Sequence, residues 1–101
     1  MSRHHRFVGV MNSPEALRDR TKQFALRIIK LVESLPGTVL ARTIVNQLVC
    51  SGTPVAANYR ACCRARSRAD FIAKLGIVIE EADETAFWLE LIIDSQIMKP
   101  E

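Results

Sequence analysis

The sequence predicts an all-α fold, an antiparallel up-down helix bundle of the four-helix-bundle type, with three long helices in this chain. Apolar residues recur at three- and four-residue spacing in three separate segments, the period of a helix with one buried face. Small hydroxyl residues and Pro-Gly punctuation stand at the joints between those segments. Only four glycines and four prolines occur in 101 residues, too few for a loop-rich sandwich.

The first helix is expected over about 13–35. Ser13-Pro14-Glu15 opens it, because serine accepts a free amide of the first turn, proline fits that turn, and glutamate complements the dipole. Leu17, Phe24, Ala25, Ile28, Leu31, Val32 and Leu35 form its apolar face, and Arg18, Lys22, Arg27, Lys30 and Glu33 lie opposite. Pro36-Gly37 ends it. Residues 1–12 show no usable period and read as a flexible tail.

Thr38 can cap a second helix, with Val39, Leu40, Ile44, Val45, Leu48 and Val49 facing inward. Ser51-Gly52-Thr53-Pro54 reads either as a loop between two short helices or as a kink in one long helix. An internal proline costs roughly 3 kcal/mol, which packing can offset. Helical residues resume at once with Val55-Ala56-Ala57-Asn58-Tyr59, which favours one helix over about 38–64, kinked at Pro54.

Ser67 followed by Asp70 resembles a capping box and starts the third helix, expected over about 67–98 and roughly 48 Å long. Phe71, Leu75, Val78, Ala82, Leu89 and Ile92 make one apolar stripe, and Ile72, Ile79, Ala86 and Ile93 make another. A helix that is apolar over two stripes has two surfaces to bury. Three helices leave one of them open, so a fourth helix or a neighbouring subunit is expected to cover it.

Length and composition describe a single soluble domain, 1–101, with no apolar run near the ~20 residues of a membrane span. The N-terminus lacks the apolar core of a signal peptide, so the expected location is the cytoplasm. Three cysteines, two of them adjacent, do not make a disulfide framework and read as small buried hydrophobes kept reduced. The net charge of +3 conceals an asymmetry. Residues 1–76 hold thirteen Lys and Arg against four Asp and Glu, whereas 77–101 hold one against seven. Such a chain can face nucleic acid, or face itself across a subunit interface.

The stretch Ser51–Ile92, SGTPVAANYRACCRARSRADFIAKLGIVIEEADETAFWLELI, resembles the four helix bundle protein family, also called the 23S rRNA intervening-sequence proteins. The set Ala57-Asn58-Tyr59-Arg60, Ser67 to Leu75, Glu81-Ala82-Asp83-Glu84-Thr85 and Trp88-Leu89 carries the likeness. Weaker agreement reaches back through Leu35-Pro36 and the second helix. The resemblance implies a small all-helical protein that assembles with itself, ring-like pentamers being known in the family, and it brings no catalytic residues. It also supports the kink at Pro54. Family members usually continue into a fourth helix, whereas this chain stops at Lys99-Pro100-Glu101. Either that helix is truncated here or the N-terminal segment partly replaces it.

Arg60, Arg64, Arg66 and Arg68 are the densest basic cluster. Arginine's planar fork pairs bidentately with phosphate, so the cluster can form an RNA-contacting corner. The plain alternative is a solvated face, or ion pairing with the acidic third helix, through Glu80, Asp83 and Glu84, within the chain or across subunits. The third helix's carboxylates suggest a bundle metal site, but that chemistry uses Glu-x-x-His pairs, and His4 and His5 lie in the N-terminal tail. No metal and no cofactor are expected. Gln47 and Asn58, on or near the apolar face of the second helix, read as buried polar residues that fix register. Phe87 and Trp88 read as core or interface anchors rather than a ligand box, and Tyr59 as an interface anchor. Gly76, in mid-helix, reads as a point of close approach, to Tyr59 or to another subunit. Neither a Ser-His-Asp set nor a Cys-His pair can be assembled in the helical core, so the chain reads as a non-enzyme. The expected partners are copies of itself and RNA, with a purely structural or protein-binding oligomer as the alternative and an enzyme third. No small-molecule substrate is indicated.

Overall fold

The computed structural model describes residues 13–98, and the N-terminal stretch 1–12 expected to be flexible lies outside them. Helix α1 spans Pro14–Ser34, α2 spans Val39–Cys63 and α3 spans Arg68–Asp94, with no strand among the described residues. Each start is capped by the residue expected from the sequence. Ser13 Oγ accepts from the Ala16 amide at 3.1 Å, Thr38 Oγ1 from Ala41 at 3.1 Å, and Ser67 Oγ from Asp70 at 3.0 Å.

Helix α2 runs through Pro54 without a break. Hydroxyls bracket the proline: Ser51 Oγ donates to the Gln47 carbonyl at 2.9 Å, and Thr53 Oγ1 to the Val49 carbonyl at 2.8 Å. Hydroxyl back-bonding of this kind accommodates a bend where one amide bond is lost.

Helix α3 is shorter than expected. It stops at Asp94, and Gln96 takes a positive φ of 57°, the left-handed conformation that ends a helix. The Ser95 amide still reaches the Leu91 carbonyl at 2.9 Å, while the Gln96 amide takes the nearer Ile93 carbonyl at 3.2 Å. Residues 95–98 continue as a turn.

Two apolar clusters fix the up-down order of the helices. The first joins Ile28 near the end of α1, Ile44 and Leu48 in the first half of α2, and Ile92 near the end of α3. The second joins Val55, Tyr59 and Cys62 late in α2 to Val78, Phe71 and Leu75 early in α3, with Phe24 of α1. Neighbouring helices therefore run antiparallel. Helix α2 is the spine: it packs against both α1 and α3, whereas among the described residues no Cα of α1 comes within 8 Å of one in α3. The molecule measures 53 × 33 × 18 Å, and its unequal short dimensions fit an open arrangement rather than a closed three-helix bundle.

Gly52 makes the close contact that the sequence reading gave to Gly76. A Cβ on Gly52 would meet the Ile28 side chain at 3.1 Å, so α1 and α2 approach through it. A Cβ on Gly76 would meet nothing within 4 Å, because Gly76 lies away from both neighbouring helices in this chain. Val39 and Leu40, expected to face inward, are exposed in the first turn of α2, where no helix lies over them.

The second stripe of α3 remains uncovered. Ile72 is 57% exposed, Ile79 54% and Ile93 73%, with exposed Ala86 between them. No described helix is long and apolar enough to cross a membrane.

Candidate functional site

The α2–α3 corner and interface hold most of the residues singled out by the sequence. Helix α2 ends at Cys63, and the chain turns through Arg64, Ala65, Arg66 and Ser67. The Arg64 and Ala65 amides close the turn on the Ala61 and Cys62 carbonyls at 3.1 and 3.0 Å. Asp70 braces the far side, accepting from the Arg66 amide at 3.4 Å and from Lys74 Nζ at 2.9 Å. The Lys74 bond, foremost, holds the Asp70 carboxyl below its ordinary range.

Arg60, Arg64, Arg66 and Arg68 are all exposed around this turn. Among the described residues the salt bridge is Lys74–Asp70, so none of the four arginines is ion-paired. Pairing of Glu80, Asp83 and Glu84 with helix-two arginines inside the chain is therefore overturned. The three carboxylates are exposed on α3 and face water. Their sequence separation from the arginines becomes a separation in space, because α3 runs away from the corner. What remains is one basic end and one acidic flank.

Of the two predicted register residues, only Asn58 fits. It is half-buried, and its Nδ2 donates to Glu81 Oε1 across the α2–α3 interface. Gln47 is exposed, one position off the buried line Ile44–Leu48–Ser51, so its side chain fixes no register within this chain. A second polar tie escaped the sequence reading. Thr85, fully buried, lies 3.1 Å from Ser51 Oγ and 2.7 Å from the Glu81 carbonyl oxygen. The signal was present: Val78, Thr85 and Ile92 recur every seven residues, and Thr85 is the small polar member of that buried line.

Tyr59 is a core residue rather than an interface anchor. It is 6% exposed in the second cluster, because it shares the inward line of Val55 and Cys62. Burial first, then the neighbouring Cys63, raises its pKa. Burial likewise pushes the Cys62 thiol up, with Cys63 adding to it. Trp88 packs on the first cluster, and its buried Nε1 has no hydrogen-bond partner among the described residues. Phe87 is half in solvent and meets the Trp88 ring edge-on, centroids 5.0 Å apart. Among the described residues no group of three His, Cys, Asp or Glu is placed to hold a metal ion.

The model of the 23S rRNA-intervening sequence protein family matches residues 16–101. This chain belongs to that family. A solved Bacteroides thetaiotaomicron structure, a protein with unknown function from the S23 ribosomal protein family, is similar at 42% identity with a TM-score of 0.71. The match covers 77% of this chain and 72% of that one. No curated protein matches. The family is one of unknown function, and nothing in these likenesses points to a catalytic activity.

Proposed function

We infer that this chain is a non-catalytic helical module that contacts RNA through its arginine corner and assembles with copies of itself. The observation that carries the RNA reading is the corner itself: Arg60, Arg64, Arg66 and Arg68 exposed on a hydrogen-bonded turn, none of them ion-paired among the described residues. Unpaired guanidinium groups on a fixed turn suit phosphate, which they bind by charge and by paired N–H donors. The family's description, which places its members in intervening sequences of ribosomal RNA, agrees in kind. Self-assembly is supported by the open Ile72, Ile79 and Ile93 stripe, since an uncovered apolar patch is the usual mark of an interface. A ring would also multiply a weak basic corner by avidity.

Light scattering on a size-exclusion column, with absorbance at 260 and 280 nm on protein prepared without nuclease, tests both parts. The expected result is an oligomer, five chains on the family pattern, carrying excess 260 nm absorbance that high salt removes. A salt-independent 260/280 ratio typical of bare protein, together with no RNA binding at 50 mM salt, would refute the RNA reading. A monomer at all concentrations would refute assembly.

A further inference from the structure

We propose that the arginine corner takes the phosphate backbone of a nucleic-acid duplex and reads no bases, an inference that rests on the RNA contact proposed above. Among the described residues, the groups that other modes would use are absent from the corner or already engaged. Single-strand binders stack bases on aromatic rings. The only tyrosine, Tyr59, sits inside the α2–α3 core, and Phe71 is packed into the same cluster. The nearest exposed ring on α3, Phe87, is nineteen residues beyond Arg68, about 28 Å along the helix.

Base edges are read by amides or by arginines held in fixed orientation. Asn58, the nearest side-chain amide, spends its Nδ2 on Glu81. Gln47 lies thirteen residues before Arg60, about 20 Å away along α2. No side-chain hydrogen bond or ion pair among the described residues holds any of the four guanidinium groups in one orientation. Side chains free to turn suit the repeating charge of a backbone better than the fixed edge of one base.

The Asp70 carboxylate, at the turn itself, is paired with Lys74, which lessens its repulsion of phosphate. A duplex presents the denser phosphate array, and each contact there releases more counterion, about 0.9 against 0.7 for a single strand. Four arginines therefore favour the duplex, with an expected slope of log K on log salt of about −3.6.

The test uses the full chain and measures fluorescence anisotropy at 50–200 mM salt. The probes are labelled 20-base-pair RNA duplexes of two unrelated sequences, the matching DNA duplex, and the single RNA strands. Equal affinity for the two RNA sequences is expected, with the DNA duplex within about threefold and the single strands weaker. Substituting Arg60→Gln and Arg64→Gln together should lower the slope by about 2. Both positions are exposed, and far-UV circular dichroism should be unchanged. Arg20→Gln with Arg27→Gln, on the α1 surface, should leave the slope as it was.

Single strands bound as tightly as duplex, a sequence preference, or a strong preference for RNA over DNA duplex would overturn the backbone assignment while leaving RNA contact standing. A slope unchanged by the corner substitutions but lowered by those on α1 would place the contact elsewhere. Failure of every probe to bind would remove the RNA reading itself.

Discussion

Replacing Leu48 with alanine removes three carbons from the middle of α2, at a side chain with no solvent exposure, packed among Ile28, Ile44 and Ile92. Transfer of that apolar surface is worth about 2.4 kcal/mol at roughly 0.8 per carbon. The cavity left behind adds to this, and large-to-small changes of this type span about 2–5 kcal/mol. Helices α1 and α3 both pack on α2, and among the described residues their Cα atoms stay more than 8 Å apart, so they can close partly into the space. The expected loss is therefore about 3 kcal/mol. With a urea m-value near 1–1.5 kcal/mol/M, the midpoint should fall by about 2–3 M, followed by far-UV circular dichroism. Ile93→Ala is the matched control: a similar truncation at a residue 73% exposed, expected to cost less than about 0.5 kcal/mol in the isolated chain. If the two substitutions cost the same, the Ile93 face is buried in solution, as self-assembly through that stripe requires, and the cost should then fall on dilution to the single chain. If Leu48→Ala costs under 1 kcal/mol, the placement of the core is wrong.

Gly76→Ala should stabilise the chain by about 0.8–1 kcal/mol, because helix propensity favours alanine and the added methyl meets nothing within 4 Å. Gly52→Ala should show none of that benefit, since its methyl would press on the stiff, buried Ile28 at 3.1 Å; paired thermal melts compare the two. Of the three cysteines, all expected to be buried, only Cys62 is; Cys50 and Cys63 are exposed and should alkylate quickly with iodoacetamide, whereas Cys62, with its thiol pKa raised, should react only on unfolding. Mass spectrometry over time should show two rapid additions and a third that follows urea.

Helix existence, caps and the passage through Pro54 were legible because each rests on local chemistry. Ser13, Thr38 and Ser67 announce their helices by side chains that reach only three residues ahead. The double apolar stripe of α3 was legible for the same reason, as a property of one helix. Which stripe is covered depends on neighbours far along the chain, and a period cannot supply it. Gly52 and Gly76 look alike in sequence; only the position of Ile28 distinguishes them. Tyr59 reads as an anchor by residue type and as core by the line it shares with Val55 and Cys62. At the corner, the arginine cluster was visible at once, but its lack of acidic partners required the direction of α3. Gln47 and Asn58 are both amides on α2, yet Asn58 alone has a carboxylate opposite it.

The spine role of α2 has a consequence for how the molecule opens. Since α1 and α3 are joined to α2 and their backbones do not approach each other, the chain is two helical hairpins sharing one member. Release of α1 would break the contacts of Ile28 and Phe24 but spare both the Asn58–Glu81 and the Ser51–Thr85 ties. Amide hydrogens of α1 would then exchange through a smaller opening than those of α2 and α3, which makes the α2–α3 hairpin the last unit to unfold. The arginine corner is the bend of that hairpin, so it sits on the most persistent part of the fold.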